Sequence, residues 1–354
     1  MISYPTPQDH PILALFTELL AVPSPSSREE AMASLIRSKL QSYGYQPETD
    51  AAGNVLVRLS GRDPAGPLTC FAAHMDEIGM VVTRVGDDGT LTVERSGGLY
   101  PWKMGERPVT ILGDFEAVTG ILSMGSAHGA GGDKAITWAD VRVVTGLTPA
   151  QLARAGVRPG VVAVPGREGR GPIVFGDPAD PLVAAWTFDD RMGVVALLRM
   201  LETLAHTRRT PRHHTIVAFT VHEEGGCHGA KFLAQRERPA IFIAIDGCPI
   251  PAGAPLQLDG RPGIWTMDRG GHYDQGLVRE LCAAARQAGT ELQPVVYPHT
   301  FSDAGAVYGA GAAGRVGCFG HVRDNSHGYE IARLSVFDNV VKILLQYVTG
   351  EVGH

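Results

Sequence analysis

Three short apolar runs in this chain each stop on a side chain that can bind a metal or move a proton, and this pattern constrains the fold more than any other feature. Thr215 to Val221 (TIVAFTV) runs into His222-Glu223-Glu224-Gly225-Gly226, Leu68 to Ala73 (LTCFAA) into His74-Met75-Asp76, and Ala240 to Ile245 (AIFIAI) into Asp246-Gly247. Short β-branched runs bounded by polar residues and glycine read as buried strands. In open α/β sheets ligands bind at the carboxyl ends of the strands, so all three polar sets are expected along one edge. A lone Glu-Glu pair would by default be an exposed acidic turn. Three strands that finish alike make coincidence a poor account. Successive residues leaving a strand point in different directions, so Glu223 and Glu224 need not share a task.

The rest of the chain supports two kinds of architecture. Ser27 followed by Glu30 has the form of a capping box, and Met32, Leu35, Ile36 and Leu40 recur at helical spacing up to Gly44. Asn54 to Leu59 reads as a strand, and the His74 strand comes next. From Gly79 the character changes. Met80–Val85, Thr90–Glu94, Val109–Leu112, Val118–Leu122, Val141–Val144 and Val161–Val164 are β-like runs separated by glycine-rich turns, with one helix signal at Thr148-Pro149 to Ala155. This stretch reads as a barrel-like insertion. Within it, 123–134 forms a glycine-rich loop whose His128 and Asp133 are expected at the surface. The α/β pattern resumes after Pro181, with helices at Val194–Leu204, Ala230–Arg236, Gly276–Ala288 and Val336–Val348. Asp189 precedes the first of these, where a carboxylate can serve as a cap. The expected fold is therefore α/β: a three-layer mixed-sheet domain from 1–78 and 168–354, interrupted by an all-β domain at 79–167.

Composition narrows the function classes. The 354 residues carry a net charge of -6 with acidic and basic residues interspersed, which gives no electrostatic case for nucleic acid or an anionic membrane. No apolar stretch is long enough to cross a bilayer. Five cysteines, at 70, 227, 248, 282 and 318, are an odd number without close pairing, which points to reduced thiols and a cytoplasmic setting. Gly309 to Gly314 satisfies the dinucleotide pattern G-x-G-x-x-G, but a helix-like segment precedes it and a strand-like one follows, the reverse of what a nucleotide site needs. No G-x-S-x-G elbow exists for a serine hydrolase.

What the acidic and histidine residues can do together is more specific. A pair of metal ions needs about five protein ligands, one of them a bridging carboxylate. His74, Asp189, Glu224, Asp246 and a late histidine supply that number from five separate segments. Nitrogen and oxygen donors without thiolate suit zinc, cobalt or manganese. Glu223 is then left as a general base, and Asp76 stands where it can hydrogen-bond the His74 imidazole.

The strings A-H-M-D-E-I-G, F-D-D-R-M-G, H-E-E-G-G and I-D-G, in this order and spacing, resemble those of the cytosolic di-metal aminopeptidases, a family that includes glutamyl and deblocking aminopeptidases, FrvX-like proteins and the tetrahedral TET particles. The insert strings S-G-G-L-Y-P-W-K-M-G-E-R-P-V-T-I-L-G and V-T-G-L-T-P-A-Q-L-A-R-A-G-V-R-P-G are similar to that family's inserted domain. The resemblance implies an aminopeptidase acting on peptides with two divalent ions per subunit, zinc first and cobalt or manganese as alternatives. It places His74 and Asp246 on one ion, Glu224 and a histidine on the other, and Asp189 between them. It makes Glu223 the base and Asp76 the support of His74, and it implies a homo-oligomer of dimers that assemble into dodecamers through the insert. Where the family reads H-S-P-x-E, this chain reads R-D-N-S-H-G-Y-E, so His327 is taken as the last ligand and His321 as the fallback. Cys227-His228 stand where relatives tend to have an apolar residue and arginine. Phe301-Ser302-Asp303-Ala304 resembles the family's T-D-A segment near the substrate pocket, with Asp303 either a structural cap or a substrate contact. The other readings to test are a di-metal deacylase or carboxypeptidase and a non-catalytic scaffold.

Overall fold

The computed structural model describes residues 3–126, 128 and 135–350. Four parallel strands form the centre of a mixed sheet: Thr215–Thr220, Thr69–His74, Ile241–Ile245 and Arg315–Gly320, side by side in that order. Their sequences TIVAFT, TCFAAH, IFIAI and RVGCFG are buried almost throughout, as strands covered on both faces must be. Val55–Leu59 and Gly263–Asp268 flank them antiparallel, which makes the sheet mixed.

Alternation along these strands divides the interior into two cores. Phe71, Val217, Phe219 and Ile243 face a layer built by helices Pro11–Leu20, Glu30–Ser42, Arg191–Thr207, Gln275–Gln287 and Leu334–Thr349. Cys70, Ile216, Ala218 and Phe242 face the opposite layer, where Leu233 of helix His228–Glu237 and Val307 of helix Asp303–Gly309 pack. The expected three layers are present. Glu30 opens its helix, but Ser27 does not cap it: Ser27 sits at φ 74°, and Glu29 precedes the helix without a side-chain cap. The Glu29 carboxylate instead accepts from the backbone amide of His222 at 3.2 Å, so it braces the glutamate loop.

Between Gly79 and Pro165 six strands close into a barrel: Gly79–Val85, Leu91–Ser96, Arg142–Val144, Ala117–Ser123, Arg107–Leu112 and Val162–Pro165, the last pairing back onto the first. Each expected β run has its counterpart within two residues at either end. In Ala117–Ser123 the residues Val118, Gly120 and Leu122 point inward while their neighbours face solvent. Met80, Val82, Leu91, Val93, Val109, Ile111 and Val143 fill the barrel. A short helix, Pro101–Met104, was not expected from the sequence. His128 is exposed, and Asp133 lies outside the described residues.

A buried ion cluster joins the two parts. Glu77, at the entry to the barrel, accepts from Arg170 Nη1 at 3.1 and 3.0 Å, from Arg191 Nη2 at 3.0 Å and from the Ser24 amide at 2.9 Å. Arg170 lies just past the barrel exit, and Arg191 opens the helix that follows Asp189. Burial alone would raise the Glu77 carboxyl; the two guanidinium groups hold it below the ordinary carboxylate range.

Candidate metal centre

Register brings the strand ends level. Thr220 lies opposite His74, and Ala244 opposite Ala72, so Asp246 and the Glu223-Glu224 turn flank His74 at one edge of the sheet. The turn is bracketed by two residues in the left-handed region, His222 at φ 56° and Cys227 at φ 57°, where non-glycine residues are uncommon. Asn54 and Asp76 hold this shape. Asn54 Oδ1 accepts from the Val221 amide at 3.0 Å, while Asp76 accepts from the amides of Glu223 at 2.9 Å and Glu224 at 3.1 Å and from Ser26 Oγ at 2.6 Å. Asp76 therefore grips the glutamate loop as well as lying against His74. His74 Nδ1 donates to the Asp76 backbone carbonyl at 3.0 Å, with the Asp76 carboxylate farther away at 3.4 Å. That engagement leaves Nε2 facing the centre, 2.9 Å from Asp189 Oδ1.

The cap of helix Arg191–Thr207 is Asp190, whose side chain accepts from the Gly193 amide. Asp189 is thereby left for the site: its Oδ1 meets His74, and Arg323 Nη2 donates to its Oδ2 at 2.6 Å. Strand pairing sets its backbone. Ala185 lies opposite Glu330 in a small antiparallel sheet, and Glu330 Oε2 accepts from Thr187 Oγ1 at 2.8 Å, the Phe188 amide at 2.7 Å and the Asp189 amide at 3.1 Å. Its Oε1 accepts from the His327 amide at 3.1 Å. One carboxylate thus fixes two of the candidate ligands.

His327 Nε2 lies 3.6 Å from Asp189 Oδ2 and 3.9 Å from Glu224 Oε1. Its Nδ1 donates at 3.0 Å to the carbonyl of Gly98, in the loop after the second barrel strand. Both histidines thus present Nε2 inward and anchor Nδ1 on a backbone carbonyl, the orientation a metal-ligating imidazole needs. A Cβ on Gly98 would lie 2.5 Å from His327 Nδ1. Gly98→Ala is expected to displace the ring and weaken metal binding by about 10–100-fold, measured by metal titration of the apoprotein. His321 is placed elsewhere: it is buried with its ring edge-on to Phe188 at 5.7 Å, and burial and nearby Arg323 push its pKa down to about 3.

The centre holds more negative charge than its own cations balance. Burial and the charge of Asp189 push Asp246 up to about 7; burial likewise pushes Glu224 to about 7, against the pull of His327. Burial also raises Glu223 well above the carboxylate range. Asp189 alone is held well below it, because Arg323 and His74 outweigh its desolvation. Glu224 Oε1 is buried without a hydrogen-bond partner, and His74, Asp189 and Glu224 offer ligand atoms within 4.8 Å of one another. Such a set fits a divalent cation, which would satisfy the orphaned oxygen and offset the charge. The centre opens into a cleft of about 710 Å³ lined also by Asp246, Glu223, His327, Arg95, Arg269 and Phe301.

Arg323, Gly98 and Glu330 stand in the sequence only as members of longer motifs, with no role of their own. No local pattern marks an arginine or glycine for a partner more than a hundred residues away.

Among solved structures, the TET1 peptidase of Pyrococcus horikoshii, which can assemble into a tetrahedron or a large octahedral shell, is 25% identical with a TM-score of 0.84, covering 96% of this chain and 100% of that one. An aminopeptidase from the archaeon Desulfurococcus kamchatkensis shares the fold at a TM-score of 0.86 and 23% identity, over 97% of this chain and 96% of its own. The glutamyl aminopeptidase of Lactococcus lactis subsp. cremoris is 28% identical over 237 residues, which is 65% of this chain and 65% of that relative. The lysyl aminopeptidase of Pyrococcus furiosus is 27% identical over 240 residues, 66% of this chain and 65% of its own length. In both cases the chain spans just under two thirds of the relative. The family described as M42 glutamyl aminopeptidase matches residues 53–343, and this chain belongs to it.

Proposed function

We propose that the chain is a di-metal aminopeptidase that removes the first residue of a peptide. The observation that carries this reading is the meeting of His74, Asp189, Glu224, Asp246 and His327 at one cleft with a further carboxylate, Glu223, left over beside them. In this assignment His74 and Asp246 would hold one ion and Glu224 and His327 the other, with Asp189 placed to serve either; zinc comes first, with cobalt or manganese as alternatives. Bound ions would polarise the scissile carbonyl and make water more acidic. Glu223 takes the proton from the attacking water and delivers it to the leaving amine. Its position for this depends on Asp76, which grips the amides of both glutamates. Glu330 keeps Asp189 and His327 in mutual register, and the Gly98 carbonyl turns the His327 ring.

We assign residues 1–78 and 168–354 to catalysis and 79–167 to assembly into dimers and dodecamers. Apolar side chains on the outside of the barrel favour this, since Phe115 is 79%, Ile121 47% and Val144 40% exposed and the last two are cross-strand partners. So does the likeness to the TET1 peptidase. The five cysteines are all free, which suits a reducing cytoplasm, and among the described residues no helix is long and apolar enough to cross a membrane.

The test is turnover of free and amino-blocked amino-acid p-nitroanilides by metal-loaded protein. Cleavage of only the free substrates, abolished by chelation and restored by metal, is the expected result. Cleavage of only acylated substrates would move the chain to the deacylases, and absence of both turnover and bound metal would favour a scaffold.

A further inference from the structure

A second cluster of ligand atoms lies beside the centre and shares only Glu223 with it. We propose that Glu223, Cys227 and Asp303 form a third, inhibitory cation site, selective for thiophilic divalent ions such as cadmium, or zinc in excess. The inhibitory half of the proposal rests on the assignment of Glu223 as base.

Each of the three residues offers one ligand atom within 4.8 Å of the others, and Cys227 Sγ is 3.4 Å from Glu223 Oε1. A cluster of this kind means little without a sign that something belongs in it, and Asp303 supplies that sign. Asp303 is 3% exposed; Thr220 Oγ1 donates to its Oδ2 at 2.7 Å, and the neighbouring Cys227 thiol also pulls on the carboxyl, but Oδ1 meets no donor in hydrogen-bond geometry. A buried carboxylate oxygen without a well-placed donor is unfavourable, and a cation is a natural partner for it. The frame is rigid. Asp303 begins helix Asp303–Gly309, and Cys227 sits at the N-cap of helix His228–Glu237 with φ 57°.

Donor chemistry separates this site from the centre. The centre offers only nitrogen and oxygen donors, whereas the second cluster adds a cysteine sulfur, held as the thiol by burial and Glu223, which as a metal-bound thiolate favours soft and borderline ions. Glu223 and Cys227 both line the cleft, so an ion can arrive from solvent. On binding, the thiol proton leaves to solvent, a metal–sulfur bond forms, and the Glu223 carboxylate becomes a ligand. A carboxylate whose lone pairs are held by a cation cannot accept the proton of the attacking water.

The experiment titrates zinc-loaded full-length protein with cadmium ion alone, following the ultraviolet thiolate-to-cadmium charge-transfer band, bound cadmium and peptidase turnover. Wild type should develop the band and bind one more equivalent than Cys227→Ser or Cys227→Ala, both of which should lack it. Asp303→Asn should move the midpoint to about tenfold higher cadmium or beyond. Turnover of wild type should fall at the same midpoint. No band in wild type, or a band unchanged in both Cys227 variants, overturns the site. A band with undiminished turnover overturns the inhibition and the role given to Glu223. Because the band and stoichiometry do not depend on catalysis, a protein with no peptidase activity would sink the functional reading while the site is still decided.

Discussion

Glu223→Gln is expected to keep its full complement of metal while turnover falls by about 10²–10⁴-fold, the usual contribution of a positioned general base. The substitution preserves shape and removes only the ability to take a proton. Metal should stay because His74, Asp189 and Glu224 bring ligand atoms within 4.8 Å of one another without Glu223. Glu224→Gln should do the reverse, releasing metal and losing activity as a consequence. Metal analysis beside kcat distinguishes the two, and metal loss confined to Glu223→Gln would mean that the adjacent glutamates have been exchanged. The loop should survive either change, since Asp76 holds it through backbone amides.

The largest expected effect on stability lies away from the cleft, at Glu77. Glu77 is 0% exposed, Arg170 2% and Arg191 1%. Glu77→Gln would leave two buried guanidinium groups without a counter-charge, and breaking a buried pair in this way is destabilising by about 3–5 kcal/mol. A fall in the denaturation midpoint at neutral pH is the measurement. The folded carboxyl sits below its ordinary value. Its contribution is therefore complete above the unfolded pKa, roughly 4.3, and is lost as pH falls through the lowered folded value. The gap between wild type and variant should accordingly narrow in acid. A gap that stayed constant down to pH 3 would show that the glutamate acts by shape alone. Because Arg191 also donates to the Met75 carbonyl at 2.7 Å, between His74 and Asp76, the variant should bind metal more weakly as well.

Asp189 and Asp190 mark a limit of local sequence signals. A carboxylate before the Arg191–Thr207 helix is expected to cap it, and one does, but it is Asp190, which frees its neighbour for the centre. Neighbours of identical chemistry carry no local signal that tells them apart. Asp76 is similar: its closeness to His74 in the chain suggested a bond to the imidazole, and its Oδ1 lies 3.4 Å from Nδ1, but the turn also gives the ring the Asp76 carbonyl at 3.0 Å and sends the same carboxylate to the glutamate amides. The sequence favoured His327 over His321 only through a shifted motif; the turn held by Glu330 sets His327 facing the cleft while His321 packs against Phe188.

By itself the sequence determined the layered α/β body, the β-rich insert and the kinds of donor available. Strand and helix periodicity, and the tendency of strands to end in functional groups, act over a few residues and can be read from neighbours. Tertiary structure alone decided which donor faces which. The Gly98 carbonyl reaches His327 across 229 positions, and Glu330 reaches the Phe188 amide across 142. Hydrogen bonds are directional and short, so these partnerships depend on how the barrel and the small antiparallel sheet bring distant backbone together, and nothing in the local order of residues encodes that path.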